Sequence, residues 1–255
     1  MNRTALVTGA ASGMGRMAAQ RLAAAGCRVA AVDVDEAGLT ETARRSPNMS
    51  TYACDVSDPA EVTAVVEKVR ADLGPIEHLV HAAALCRVGS ALTHDVSEMR
   101  RVMEVNYLGT INLCQNVIPA MKAAGSGTVV LFASVAGWLP SPGLGAYSAS
   151  KFAVVGYTDV LSQELDGTGV RLLSICPPHV ETPLLEGIRE SDPAVVAGQS
   201  GMSPEKVLDA MEKALAKPAN PVFIFPGQAL PLVLARRFVP GLLRKQIARM
   251  VKPTL

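Results

Sequence analysis

Short apolar runs alternate with longer stretches of helical periodicity from one end of this chain to the other. The pattern predicts strands over 5–8, 28–32, 51–54, 78–81, 128–133, 170–175 and 222–225, and helices near 15–25, 37–45, 59–73, 97–123, 147–165 and 204–217. Strands that read as continuous apolar runs need cover on both faces, and a parallel sheet between two helical layers provides it. Crossovers between parallel strands are nearly always right-handed, so these units wind into a doubly wound, Rossmann-type α/β sheet of seven strands. The 255 residues, 49% hydrophobic and 18% charged, suffice for one such domain spanning 1–255 and require no second.

Several helix ends are legible. Asp58, Pro59 and Glu61 put an acceptor at the N-cap, Pro at N1 and Glu at N3, a capping-box variant. Ser203 and Pro204 are expected to open the last regular helix in the same way, and Gly26 to end the first.

The formal net charge of +1 argues against a general nucleic-acid binder, but it conceals an asymmetry. Glu212 is the last acidic residue; beyond it lie Lys213, Lys217, Arg236, Arg237, Arg244, Lys245, Arg249 and Lys252, while the preceding residues carry sixteen basic and twenty-three acidic groups. The five cysteines are widely spaced and form no CxxC pair, which suits reduced thiols in a cytoplasmic protein. The chain runs straight into a strand pattern with no room for a signal peptide, and no apolar run reaches the ~20 residues needed to span a bilayer, so a soluble protein is expected.

Between the first strand and first helix lie Thr8, Gly9, Ser12, Gly13, Met14 and Gly15. Glycines there permit a tight turn and let backbone N–H groups approach a pyrophosphate at the helix N-terminus. A ligand-free glycine turn is the alternative, and the position at the first strand-to-helix junction favours the cradle. The second strand ends at Asp33, 18 residues after Gly15, where a carboxylate can accept from adenosine ribose hydroxyls and would repel a 2′-phosphate. Val34 follows, and no Arg or Lys lies between Gly9 and Gly15, so NAD is favoured over NADP. Asp55, with Val56, follows the third strand; it reads either as a turn residue or as an acceptor for the adenine amino group.

Ser134 ends the fifth strand, Tyr147 follows thirteen residues later, and Lys151 lies four beyond, on the same helical face as the tyrosine. A phenol with a pKa near about 10 is a poor base at neutral pH, and a neighbouring ammonium favours the phenolate. Such a pair can take an alcohol proton while hydride leaves the same carbon, with Ser134 holding the substrate oxygen. No histidine has partners at metal-ligand spacing, so no metal site is expected.

Together, Thr8 to Gly15, Asp33, Asp55, Asn106, Ser134, Tyr147 and Lys151 resemble the motif set of the short-chain dehydrogenase/reductase family, in order from residue 3 to about residue 183. The resemblance implies that Ser134 orients the substrate, Tyr147 is the catalytic acid/base, and Lys151 lowers the Tyr pKa and binds the nicotinamide ribose. It implies that Asn106 supports a water-linked proton relay to Lys151 and that Thr182 contacts the nicotinamide carboxamide. Ala83, Pro177 and Val180 are expected beside the cofactor with them. The family commonly has Asn-Asn-Ala-Gly after the fourth strand, where this chain has His81, Ala82, Ala83 and Ala84; it also has Pro178 and His179 where Pro-Gly is usual. A homodimer or homotetramer through the helices near 97–123 and 147–165 is implied as well.

Trp138, Leu144, His179 and Leu184 are the expected substrate contacts; the lining is mostly apolar and favours a bulky hydrophobic alcohol or ketone, steroid-like or fatty. The stretch about 184–203 mixes charges, Gly, Ser and Pro as a mobile lid would. The extension about 227–255 joins apolar clusters to basic residues: it can lie in a membrane interface, cover a hydrophobic substrate entrance, or pack on a dimer partner. The leading reading is an NAD-dependent oxidoreductase acting on a hydrophobic secondary alcohol. The alternatives are a ketone or 3-oxoacyl reductase and a non-catalytic dinucleotide-binding regulatory protein.

Overall fold

The computed structural model describes residues 3–197, 200–217, 222–241 and 245. Seven parallel strands, β1 (Thr4–Thr8), β2 (Arg28–Asp33), β3 (Met49–Ala53), β4 (Ile76–His81), β5 (Gly127–Phe132), β6 (Val170–Ile175) and β7 (Phe223–Ile224), form one sheet in the order β3-β2-β1-β4-β5-β6-β7. Each expected strand is present, its ends displaced by no more than two residues. The helices are α1 (Gly13–Ala24), α2 (Glu36–Ala43), α3 (Pro59–Leu73), α4 (Val96–Met103), α5 (Gly109–Ala123), α6 (Gly145–Glu164), α7 (Pro183–Ser191), α8 (Pro204–Leu215) and α9 (Ala229–Phe238).

Side chains alternate across each strand, so the sheet feeds two cores. On one face Val7, Ala31, Val130 and Ile175 pack with Ala18 and Ala19 of α1, Leu39 of α2 and Val207, Leu208 and Met211 of α8. On the other, Leu6, Val32, Leu79 and Leu131 pack with Val62 and Val66 of α3, Leu113 and Val117 of α5, and Leu161 of α6. Burial on both faces explains why the strands read as continuous apolar runs.

Gly26 sits just past α1 with φ +87°, as expected of a helix-ending residue. Asp58 caps α3, accepting from the Ala60 and Glu61 amides. Glu61 corrects the capping-box expectation: it accepts from Asp55 N at 2.8 Å, because the Asp58 amide is already bonded to the Asp55 carbonyl. Ser203 precedes α8 without a side-chain cap bond, so Pro204 at N1 does the positioning there, and α8 is followed by α9. The single helix expected over 97–123 is α4 and α5 joined by a π-helical turn, Glu104–Leu108, which carries Asn106.

Two helices were not expected. α7 lies in the segment read as a lid; Leu185 and Ile188 bury one face against Leu144, Val195 and Val196, while Arg189 pairs with Glu181 and Glu186. α9 contains Pro231, which reads as a breaker but stands in the first turn, where its missing N–H has no helical partner to lose. The remainder of the C-terminal extension, 242–255 apart from residue 245, lies outside the described residues.

Asp58→Ala should remove the cap of α3 at a cost of about 1 kcal/mol. In a chain of this size that lowers the melting temperature by about 2–4 °C, measurable by calorimetry.

Candidate active site

All strands of a parallel sheet end on the same edge, so the loops after β1, β4, β5 and β6 converge there, and a crevice opens where β1 separates β2 from β4. It is a cleft of about 800 Å³. The turn after β1 forms its floor. Gly9 has φ +68°, and a Cβ there would meet Ala83 N at 2.6 Å; a Cβ on Gly15 would meet the Gly9 carbonyl at 2.1 Å. Only glycine lets these backbones close, which brings the N-terminus of α1 and its unpaired amides to the cleft wall. Ser12, at the N-cap of α1, makes no side-chain cap bond. These residues fit a pyrophosphate cradle: backbone donors, no intruding side chain, and a helix N-terminus behind.

Gly9, Ser12, Gly13, Met14, Gly15, Asp33, Asp55, Val56, Ala83, Pro177, Val180 and Thr182 all line this cleft. The Asp33 carboxylate accepts from Ala11 N at 3.0 Å and from Asp35 N at 3.1 Å, one bond per oxygen, leaving acceptor capacity on both. The nearby cation, Arg16, is turned away: it bonds Thr42 Oγ1 at 3.0 Å and the Ala11 carbonyl, and it does not line the cleft. Asp55 serves as a turn residue, accepting from the amide and hydroxyl of Ser57, and it also pairs with Arg101 at 2.6 Å. Burial raises its carboxyl, but the bonds from Ser57 and Arg101 outweigh that and hold it below the usual carboxylate range.

At the other end stand Ser134, Tyr147 and Lys151, all on the wall. Lys151 is 2% exposed; its Nζ donates to the Phe132 carbonyl at 2.8 Å and lies 5.7 Å from the Tyr147 ring centroid. Burial lowers its pKa to about 8. The Tyr147 phenol departs from the sequence expectation. Its pKa is pushed up, by burial first and by the Cys86 thiol next, and it is the hydrogen bond with Ser134 that opposes the rise. Lys151 spends one donor on a backbone carbonyl, and the ammonium that was to hold the phenol down is itself desolvated.

Asn106 is 1% exposed and does not line the cleft. Its amide brackets Leu85, accepting from that N at 2.7 Å and donating to that O at 2.9 Å, and also donates to Ser150 Oγ at 2.9 Å. A π-turn places this side chain one step off the regular helical face, toward the β4 loop. Asn106 thus joins the β4 loop to the residue preceding Lys151. Ser150 was not singled out in the sequence, although its place next to Lys151 was a usable signal.

Of the expected substrate contacts, Leu144, His179 and Leu184 line the cleft with Leu139, Leu185 and Ile188. Trp138 does not, and this corrects the expectation. Its ring packs edge-on against Phe223 and Phe225, at centroid distances of 5.2 and 5.6 Å, because the 3₁₀ turn after Ser134 directs it toward β7. Gln228, Ala229 and Leu232 of the α9 region complete the mouth, so the described part of the extension covers the entrance, one of the arrangements its composition allowed.

His81 stands where the family resemblance leads one to expect Asn. It is 3% exposed, its Nδ1 is 2.7 Å from Thr8 Oγ1, and burial, then the Lys151 charge, lower its pKa from 6.5 to about 3. Between those values the unfolded chain binds a proton that the native ring refuses, so stability falls as pH drops through this window. The slope from this residue is up to about 1.4 kcal/mol per pH unit. Denaturant unfolding across the window should show His81→Asn losing that slope relative to the parent protein; parallel profiles would contradict it.

A family model described as short chain dehydrogenase matches residues 3–193. The oxidoreductase UcpA of Escherichia coli (strain K12) is 34% identical over 218 residues, 84% of this chain and 80% of that protein. The D-threitol dehydrogenase of Mycolicibacterium smegmatis is 39% identical over 187 residues, 71% of this chain and 72% of that protein. A solved short-chain dehydrogenase from Streptomyces avermitilis matches with a TM-score of 0.84 and 26% identity, covering 99% of this chain and 100% of that one. The chain belongs to the short-chain dehydrogenase/reductase family of oxidoreductases, which bind a nicotinamide dinucleotide.

Proposed function

We propose that this protein moves hydride between NAD and a hydrophobic secondary alcohol or its ketone. The observation that carries the proposal is the polarity of one cleft: Asp33 lines one end, where Arg16 is absent from the lining and Arg101 is paired with Asp55, and Leu139, Leu144, Leu184, Leu185, Ile188 and Leu232 wall the other. A carboxylate accepts the two ribose hydroxyls of NAD and repels the 2′-phosphate of NADP. Arg16 is committed to Thr42 and to the Ala11 and Gly38 carbonyls.

When bound, the nicotinamide supplies the hydride acceptor or donor. The chain supplies the proton and the geometry. Tyr147 takes the hydroxyl proton during oxidation, and Ser134, whose hydroxyl opposes the rise of the phenol pKa, holds the substrate oxygen beside it. Lys151 keeps its charge at neutral pH, and two of its three ammonium protons remain for the ribose after the Phe132 carbonyl is served. Asn106 keeps the β4 loop and the helix in register about this pair. Leu-rich walls suit an apolar substrate; a small polyol, such as the relative's name specifies, would need hydroxyl partners that the lining supplies sparingly.

A second reading, ketone reduction, is favoured by the raised phenol pKa, since a protonated Tyr147 is poised to give its proton to a carbonyl oxygen. Both directions use the same residues, by microscopic reversibility.

Turnover of a panel of steroid and aliphatic secondary alcohols, followed by the absorbance of the reduced nicotinamide, tests the proposal. NAD should serve far better than NADP, and Tyr147→Phe should lose about 10²–10⁴-fold in kcat. Asp33→Asn should weaken NAD binding by about 10–100-fold, the loss of a charge-assisted hydrogen bond. Preference for NADP would overturn the reading of Asp33. NADH binding without turnover of any alcohol or ketone would favour a non-catalytic dinucleotide-binding protein.

A further inference from the structure

The helix at the cleft mouth, α9, has two apolar sides. Ala229 is buried, Leu232 lines the cleft, and Arg236 stacks on Phe152 with its guanidinium 5.1 Å from the ring centroid while donating to the Trp138 carbonyl. That side faces the protein, although Leu232 at the mouth keeps 49% exposure. On the other side Leu230, Leu234 and Phe238 recur at four-residue spacing, 43%, 52% and 77% exposed. A helix apolar on both sides is ordinarily buried on both, and scattered exposed leucines do not line up one turn apart.

The charge of the surrounding sequence says what covers the stripe. No acidic residue occurs after Glu212, whereas Arg236, Arg237, Arg244, Lys245, Arg249 and Lys252 lie in or beyond α9. A partner for this region has to be apolar and anionic at once. A two-fold contact between copies through α9 would set basic segment on basic segment, since an isologous interface places the same patch on both sides. We infer that the outer face of α9 docks on an anionic lipid bilayer, inserting Leu230, Leu234 and Phe238 at the headgroup boundary, the acid-free, basic sequence after Glu212 favouring an anionic surface. Among the described residues no helix is long and apolar enough to cross a membrane, so the contact is interfacial. Because Leu232 lines the cleft on the same helix, docking sets the cleft mouth at the bilayer, and an apolar substrate enters from the lipid. This consequence for substrate entry, unlike the docking itself, rests on the hydrophobic substrate proposed above.

Flotation of the full-length protein with vesicles of phosphatidylcholine and phosphatidylglycerol, against vesicles of phosphatidylcholine alone, tests the docking without any substrate. The protein should float with the anionic vesicles, less so at 1 M salt, where the Debye length falls to about 3 Å. Leu230→Ser/Leu234→Ser/Phe238→Ser should reduce flotation by more than ~10-fold with the melting temperature kept. Should the triple variant unfold, Leu234→Glu, which sets one acid in the stripe, should give the same loss. No flotation of the parent protein, equal flotation with both vesicle types, or flotation unchanged in these variants would overturn the inference. So would an oligomer that dissociates on substitution while the parent ignores vesicles, which would assign the stripe to a second copy. Flotation as expected with no turnover of apolar alcohols would leave the docking standing and remove the substrate reading.

Discussion

Two backbones meeting at the carboxyl ends of β1 and β4 hold the site together. With a Cβ on Gly9 the turn would strike Ala83 N, and with one on Gly15 it would strike the turn's own carbonyl. The absence of those side chains brings the N-terminus of α1 to the β4 loop, and across the cleft a Cβ on Gly13 would just touch Thr182 and Pro183 at the start of α7. Parallel strands already deliver four loops to this edge; the glycines determine how closely they approach.

Polar bonds between elements, more than apolar packing, organise that edge. Asn106 ties the π-turn to Leu85 and Ser150, Lys151 is tied to the end of β5, and His81 to Thr8. Burying such groups is costly unless they are partnered, and the lowered pKa of Lys151 and of His81 are measures of the cost that remains. The site therefore combines a rigid scaffold with ionisable groups held away from their ordinary equilibria, as acid–base work requires.

Local physics made much of this legible. Strand positions followed from apolar runs, Gly26 and Asp58 marked helix ends, and the four-residue spacing of Tyr147 and Lys151 placed both on one helical face at the cleft. The failures share a cause. Glu61 bonds Asp55 instead of its own N-cap because Asp58 is occupied; Trp138 turns to β7 because Phe223 and Phe225 offer an aromatic surface; a π-turn interrupts the helix at Asn106 where the loop and Ser150 need its amide. In each case a neighbour in space outweighed the neighbours in sequence.

The sequence by itself determined the layer architecture, the strand positions, the glycine turn, the strand-end Asp33 and the Tyr147–Lys151 pair. Each depends on periodicity or spacing within a few residues, which propensity and steric rules govern directly. Only the tertiary structure decided that Arg101 pairs with Asp55, that His81 meets Thr8, and that α9 closes the mouth with Arg236 beside Trp138. Those contacts join residues 46, 73 and 98 positions apart, and no local rule fixes such pairs, because they exist only once the sheet has chosen its neighbours.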